Sequence, residues 1–312
     1  MSLSKYRFIA ADITSNCNVR CPFCLNDWRN IRGSINMREE TFSKLIQLIP
    51  LAMDEGFFFS CLFEPTIHPD FVPYLLKLPA SGRQKVFFTT NLAKRLPRET
   101  FYELRRINVH HINISLDSLN PVIYEDLRRG AKFDTFMGNL ENLVSVFRGY
   151  PGAPRIGYIT MLFKQNLNEI LDLVSVCHER YLAYHHDVRT PFEYSLAYMD
   201  KEWIQKSMVS RKEWDELGTE LRKLPFNSSL CIPPPPIESE ASQRLESYKD
   251  PRFRDLDRYL HIKVSSDGTL YTYWDSRFYN INEIEDPHTF FKKRLCQIVK
   301  EYEQYRLVIS RE

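Results

Sequence analysis

The sequence predicts an α/β protein: a partial (β/α)6 barrel of parallel strands with a small α+β C-terminal extension. Three observations point there. Short apolar runs alternate with helix-patterned segments through about residue 195, as in parallel strands joined by right-handed crossovers. Polar clusters directly follow the apolar runs, at the strand ends where ligands bind in such folds. Beyond about residue 200 the alternation stops, and a proline run and a hairpin signal replace it.

Phe8 to Ile13 reads as the first strand. Arg38 to Ile49 reads as a helix, with Phe42, Leu45, Ile46 and Ile49 on one face, and Pro50 ends it. Phe57 to Leu62 is a short apolar run suited to a strand buried on both faces. Strand Val86 to Thr90 and helix Arg98 to Arg106 follow, then strand His111 to Leu116 and helices Val122 to Leu127 and Phe133 to Val146. Strand Arg155 to Met161, helix Glu169 to Arg180 and a weaker strand over Ala183 to Thr190 complete the alternation. The barrel is expected over residues 6–195, with an open doubly wound sheet as the alternative, and the extension over 196–312. In the extension, Trp203 to Leu224 reads as a helix and Pro233 to Pro236 as polyproline II. Glu238 to Tyr259 is charged and helix-prone; His261 to Val264, Ser266-Asp267-Gly268 and Leu270 to Trp274 form a hairpin signal; Phe290 to Tyr305 reads as a closing helix.

Composition narrows the function. There are 42 basic against 40 acidic residues, for a net charge of +2, so neither nucleic acid nor a membrane surface is expected as partner. The stretch Lys94, Arg95, Arg98 reads as an exposed helix start, not a phosphate-binding patch. No run approaches the roughly 18–20 apolar residues of a membrane helix, and no signal peptide is visible, so the expected compartment is the cytoplasm. The ten glycines form neither a P-loop nor a dinucleotide fingerprint. Seven cysteines in a chain of this length do not suggest a disulfide framework.

Three of those cysteines, Cys17, Cys21 and Cys24, lie in Cys17-Asn18-Val19-Arg20-Cys21-Pro22-Phe23-Cys24, directly after the first strand. Structural zinc takes four protein ligands. A cubane iron–sulfur cluster held by three thiolates leaves one iron open to an exogenous ligand. This C-x3-C-x2-C spacing at the end of a first β/α strand, with Phe23 before the last cysteine, resembles the radical S-adenosylmethionine (radical SAM) superfamily. Glu64-Pro65-Thr66-Ile67-His68-Pro69-Asp70-Phe71 is similar to that family's Gly-Gly-Glu-Pro segment, with Leu62 and Phe63 in place of the glycines. Thr89-Thr90-Asn91 is similar to Thr-Asn-Gly, with Leu92 in the glycine position, and Ser115-Leu116-Asp117 matches Ser-Leu-Asp. An arginine follows downstream in many relatives, and Arg128 or Arg129 corresponds to it. Asn166-Leu167-Asn168-Glu169-Ile170 resembles the family's turn into the next helix. His68 reads as part of a helix start.

The resemblance, over roughly residues 6–190, implies one [4Fe–4S] cluster on Cys17, Cys21 and Cys24. It implies SAM near Glu64, Asn91, Ser115, Asp117, Arg128 and Asn166. Reductive cleavage of SAM would then give a 5′-deoxyadenosyl radical that abstracts hydrogen from a substrate, with a flavodoxin or ferredoxin as electron donor. The hairpin followed by Asn280-Ile281-Asn282-Glu283-Ile284 looks like the SPASM or twitch extensions of that superfamily. No cysteine follows the hairpin at Tyr273-Trp274-Asp275, so the extension reads as degenerate, without an auxiliary cluster. Some radical SAM epimerases return a hydrogen atom from one thiol in this region, which makes Cys231 the candidate catalytic donor; an inert small hydrophobe is the other reading. Cys61, Cys177 and Cys296 read as core, and Tyr271, Tyr273, Trp274 and Tyr279 mostly as an aromatic packing face. The expected activity is epimerisation, dehydration or rearrangement of a polar small molecule such as a sugar or aminoglycoside-like natural product. The alternatives are a peptide-modifying radical SAM enzyme, which the barrel start near residue 6 disfavours, a tRNA modifier, which the near-neutral charge disfavours, and a non-catalytic zinc-binding scaffold.

Overall fold

The computed structural model describes residues 5–26, 33–60, 62–191, 200–232, 260–272 and 276–309. Cys61, the proline run, the charged stretch after it, Tyr273 and Trp274 lie outside the described residues. In chain order the strands are β1 (Phe8–Ala11), β2 (Phe57–Phe58), β3 (Val86–Thr90), β4 (His111–Ser115), β5 (Arg155–Met161), β6 (Ala183–Arg189), β7 (Leu230–Cys231), β8 (His261–Val264), β9 (Thr269–Thr272) and β10 (Ser276–Asn280). The α-helices are α1 (Glu39–Leu45), α2 (Phe71–Leu76), α3 (Arg98–Ile107), α4 (Pro121–Leu127), α5 (Phe133–Phe147), α6 (Ile170–Arg180), α7 (Lys201–Ser207), α8 (Arg211–Leu221) and α9 (Pro287–Ile309). The α/β class, the parallel strands and the small antiparallel C-terminal part are as the sequence predicts. No helix among the described residues is long and apolar enough to cross a membrane.

The chain divides into two compact units, one made of Met1–Asn16, Ser34–Phe88 and Ala241–Glu312, the other of Cys17–Gly33 and Thr89–Glu240. In the first unit the strand order is β10-β9-β8-β1-β2-β3. β8, β1, β2 and β3 are parallel neighbours, and β8-β9-β10 is an antiparallel meander. The C-terminal segment therefore joins the edge of β1. Thr41 Oγ1 donates to Asn282 Oδ1 at 2.8 Å, and Lys44 Nζ donates to the carbonyls of Asn282 and Ile284 at 2.7 and 2.9 Å. Ile9, Phe42, Phe57, Phe59, Phe88, Ile262 and Phe291 fill the core of this unit. Gly268, in the hairpin turn, has φ +86°, and a Cβ there would lie 2.6 Å from Asn282 Nδ2 and 2.8 Å from Asn280 Oδ1. Glycine is the residue that fits both constraints.

Three local differences from the sequence reading have clear causes. β2 stops after two residues because the chain turns at Ser60, whose hydroxyl donates to the Phe63 carbonyl at 2.7 Å. The first helix tightens into a 3₁₀ segment, Ile46–Leu51, around Pro50, which has no N–H for an α-helical bond. The expected Trp203–Leu224 helix is two helices. Ser210 opens α8 with a capping box: its hydroxyl accepts from the Glu213 N–H at 3.3 Å, and its own N–H donates to Glu213 Oε2 at 2.6 Å.

In the second unit β4, β5, β6 and β7 run parallel in that order. The helix-facing positions Ile112, Ile114, Ile156, Tyr158 and Val188 are fully buried. His186 shares that interior at 0% exposure. Thr160 Oγ1 donates to the Leu116 carbonyl at 2.6 Å and lies 2.8 Å from His186 Nε2, so Nε2 carries the proton and donates to the threonine. Nδ1 is then a bare buried lone pair, with no hydrogen-bond partner among the described residues. Burial lowers the His186 pKa to about 3, and burial followed by the neighbouring His185, His110 and Arg155 charges lowers His111 to about 3. Both imidazoles are neutral in the folded state and titrate near 6.5 when unfolded. The unfolded chain thus binds more protons between these values, so stability is full above about pH 6.5 and falls as pH drops towards 3. Urea unfolding followed between pH 7 and 5 should show uptake of protons on unfolding, and His186→Leu should reduce that pH slope.

Candidate active site

The three-cysteine loop lies in the second unit and is fastened to the segment that ends α4. The Arg20 N–H donates to the Arg129 carbonyl at 2.7 Å, and the Arg20 guanidinium donates to the carbonyls of Cys17 and Val19. Gly130, with φ +94°, approaches Asn18; a Cβ there would sit 3.2 Å from the Asn18 carbonyl oxygen. Within the loop the Cys24 N–H donates to the Cys21 carbonyl at 3.1 Å.

N–H groups converge on all three sulfurs. Asn91 Nδ2 lies 3.4 Å from Cys17 Sγ and 2.9 Å from Asn18 Oδ1. Arg128 Nη1 lies 3.8 Å from Cys21 Sγ, and the Asn26 N–H is 3.4 Å from Cys24 Sγ. Cys21 is buried; burial pushes its thiol up to about 11, against the pull of the Arg128 guanidinium. N–H donors aimed at sulfur suit anionic thiolate ligands, so the loop fits a three-thiolate cluster.

Behind Cys21 is a fully internal polar network. Arg128 Nε donates to Asp117 Oδ2 at 2.6 Å, with the side chains 9% and 0% exposed. Asp117 Oδ1 accepts from the Met161 N–H at 2.8 Å, and the Asp117 carbonyl accepts from Asn166 Nδ2 at 2.7 Å. Asn166 also donates to the Met161 carbonyl and accepts from the Phe163 N–H. Of the two arginines the sequence offered, Arg128 enters this network, while Arg129 lies nearer the surface beside Asp126. The guanidinium of Arg128 also sits 5.3 Å from the Phe23 ring centroid, and Phe23 packs on Phe163 and Trp203.

The other sequence-predicted residues are distributed as follows. Ser115 is buried at the end of β4. Glu64 belongs to the first unit, where it is buried and accepts from the Thr66 N–H at 3.2 Å and the Thr66 hydroxyl at 2.6 Å. There the Leu62 N–H donates to Asp12 Oδ1 at 2.9 Å, a side-chain anchor on a loop where the resembling family has glycine. His68 donates through Nε2 to the Met37 carbonyl at 3.1 Å and accepts the Asp70 N–H on Nδ1 at 2.9 Å. Cys231 is exposed on β7, paired with Asp187 of β6. Partial desolvation, then a hydrogen bond to Asp187, raises its thiol pKa. Ser115, Ile159, Asp187 and Cys231 form one register row across β4 to β7. Cys177 is buried, as the sequence suggests. Cys296 is exposed rather than core, because it falls on the outer side of α9.

Asn139 is a residue the sequence reading passed over. It is a buried amide at helical spacing with the core residues Phe136, Leu140 and Leu143, which is the signal that marks it. Its Nδ2 donates to the carbonyls of Leu92 and Lys94 at 2.8 and 2.7 Å, and its Oδ1 accepts the Leu96 N–H at 3.3 Å. Leu92 has φ +53°, a left-handed conformation that costs a non-glycine residue roughly 1–2 kcal/mol. Asn139 thus holds the strained loop that presents Asn91 to Cys17. Asn139→Leu should lower stability by about 3 kcal/mol in urea titration, since three buried backbone groups lose their partner, and should reduce iron loading.

Comparison with known proteins agrees with this geometry. Molybdenum cofactor biosynthesis protein 1 of Bos taurus is 29% identical over 287 residues, covering 85% of this chain and 41% of that protein. GTP 3′,8-cyclase of Geobacter sulfurreducens is 23% identical over 234 residues, covering 74% of this chain and 68% of that enzyme. The chain spans about two fifths of the length of the mammalian relatives it matches. In fold, it is similar to Streptococcus suis SuiB bound to S-adenosylmethionine, with TM-score 0.65 and 15% identity over 92% of this chain and 66% of that one. It is likewise similar to anSMEcpe with bound AdoMet, with TM-score 0.60 and 15% identity over 93% of this chain and 82% of that one. The profile of the Radical SAM superfamily matches residues 12–177, more than half of the sequence and the part that carries the cysteine loop, so the chain belongs to the radical SAM superfamily, whose members work with a [4Fe–4S] cluster and SAM.

Proposed function

We propose that this radical SAM enzyme abstracts hydrogen from a polar small molecule, of the sugar or aminoglycoside-like class, and carries it through epimerisation, dehydration or rearrangement. In this reading Cys17, Cys21 and Cys24 bind the cluster. Glu64, Asn91 and Ser115 approach SAM, while Asp117, Arg128 and Asn166 act through the network they form. Residues 6–195 make the catalytic part and 196–312 the extension, which carries no auxiliary cluster. When bound, the cluster and SAM supply one-electron cleavage of the sulfonium and a 5′-deoxyadenosyl radical. The electron comes from a flavodoxin- or ferredoxin-type donor, and the cytoplasm is the expected compartment.

The observation that carries the reaction type is the register row from Ser115 to Cys231, which sets a thiol level with the end of β4. A thiol can give a hydrogen atom to a carbon radical: the S–H bond breaks and a C–H bond forms. The sulfur radical returns to thiol with one electron from the same donor and one proton from water. Partial desolvation, then Asp187, raises the thiol pKa, which keeps the S–H bond intact to higher pH than in an ordinary thiol.

A second reading has a specific observation behind it. The curated relatives that cover 85% of this chain are molybdenum cofactor biosynthesis proteins, and others are named GTP 3′,8-cyclases. A nucleotide such as GTP, in a rearrangement, is the substrate on this reading.

Anaerobically reconstituted protein with dithionite and SAM separates these readings. Cys17→Ala, Cys21→Ala and Cys24→Ala should each abolish 5′-deoxyadenosine formation, and an active variant would overturn the ligand assignment. Bound zinc with no iron would return the protein to the scaffold reading. GTP-dependent 5′-deoxyadenosine with a new nucleotide product would decide for the second reading. With an accepted polyol or amino sugar, Cys231→Ala should still form 5′-deoxyadenosine but lose solvent deuterium in the product. Full retention of deuterated product would remove Cys231 from the reaction. In the wild type, deuterium incorporation should persist to higher pH than an ordinary thiol allows, because it is lost only as the raised thiol deprotonates.

A further inference from the structure

We propose that Arg128 is a positioning residue for the cluster: its guanidinium donates an N–H···S bond to the Cys21 sulfur and raises the reduction potential there, with Asp117 holding it in place. This rests on the reading that Cys21 ligates the cluster.

The geometry divides the guanidinium into two jobs. Nε is spent on Asp117 at 2.6 Å, and Nη1 faces Cys21 Sγ at 3.8 Å. The flat face lies against Phe23, two residues after Cys21 in the same loop. Asp117 cannot swing away, since Oδ1 takes the Met161 N–H and its carbonyl takes Asn166 Nδ2. The backbone of the arginine is fixed as well: its N–H donates to the Tyr124 carbonyl at 2.8 Å, and its carbonyl accepts from Ala131 at 2.8 Å. Arginine, aspartate and cysteine are all at or below 9% exposure, so bulk water cannot take over the donor's place.

The direction of the effect follows from charge. Reduction adds an electron to the cluster and its thiolates, and an N–H directed at a ligand sulfur stabilises the more negative state. Asp117 cancels most of the arginine's net charge, so the directed bond, more than long-range attraction, carries the effect. The role differs from that of Asn91, which divides its amide between Cys17 Sγ and Asn18 Oδ1.

The experiment is an EPR-monitored redox titration of the reconstituted holoenzyme without SAM. Arg128→Met should lower the midpoint potential, with the reduced-to-oxidised ratio at a fixed potential falling about tenfold, which is 59 mV for one electron. Arg128→Lys should fall between Arg128→Met and wild type. Pulsed EPR in D2O should show one exchangeable deuteron coupling fewer in Arg128→Met than in wild type, those from Asn91 and the Asn26 N–H remaining. An unchanged potential in an Arg128→Met protein with full iron content would overturn the proposal. Where Arg128→Met does not load iron, Asp117→Asn is the deciding variant, read by the coupled deuteron because the substitution also removes a charge; a loaded Asp117→Asn protein that keeps the full wild-type set of deuteron couplings would also overturn it. Failure of the wild type itself to assemble a cluster would instead refute the ligand reading on which the proposal rests.

Discussion

The buried pair between Asp117 and Arg128 is the constraint on which the rest of the second unit depends. Moving two charges out of water costs several kcal/mol per ion, so such a pair persists only when every remaining hydrogen-bonding position is met. Here that condition writes the surrounding structure. The carboxylate needs a second donor and finds it at the last residue of β5, the Met161 N–H. That places Asn166 where it can bridge the Asp117 and Met161 carbonyls and close the turn into α6. On the arginine's side an Nη1 N–H needs an acceptor in an apolar surrounding, and the Cys21 sulfur is the one at hand. One ion pair therefore ties the ends of β4 and β5, the end of α4 and the cysteine loop into a single network.

A second theme is that buried side-chain amides and carboxylates take over work that flexible backbone does elsewhere. The loops after β2 and β3 carry Leu62 and Leu92 where the family pattern has glycine. In each, a polar side chain from another element captures the backbone: Asp12 takes the Leu62 N–H, and Asn139 takes the carbonyls of Leu92 and Lys94. A left-handed leucine survives because three hydrogen bonds and a buried side chain outweigh its strain. Such loops are less adaptable than glycine-rich ones, and they hold Asn91 in one orientation towards Cys17.

How far the sequence discloses this is decided by whether the determinant is local. β4, β5 and α6 could be placed within a residue or two because their apolar runs are continuous and bounded by polar caps. The cysteine loop, Asp117 and Asn166 were recognisable because they follow strands. The choice of Arg128 over Arg129 was not open to sequence: both sit on the same helix end, and only the tertiary position of Asp117 separates them. The role of Asn139 has no local signature, since its partners lie more than forty residues away. The capping box at Ser210 was a local signal and could have split the long helix. The place of β8 beside β1 was beyond reach, because parallel pairing over some 250 residues leaves no local trace.

That long-range pairing bears on what the C-terminal segment can do. A tethered appendage can cover a site only statistically, since each joining residue keeps its own freedom. Strands pinned by backbone register have no such latitude. β8 is locked to β1 over four residue pairs, and the meander that follows is held by the Gly268 turn and by Lys44 and Thr41. In the second unit β7 is locked to β6 in the same way, which fixes the Cys231 backbone opposite Asp187. A hydrogen-atom donor must meet a short-lived radical without first searching for it. On the proposal that Cys231 gives a hydrogen atom, its place on β7, in register with Ser115 through β5 and β6, would supply the fixed position that a free loop lacks.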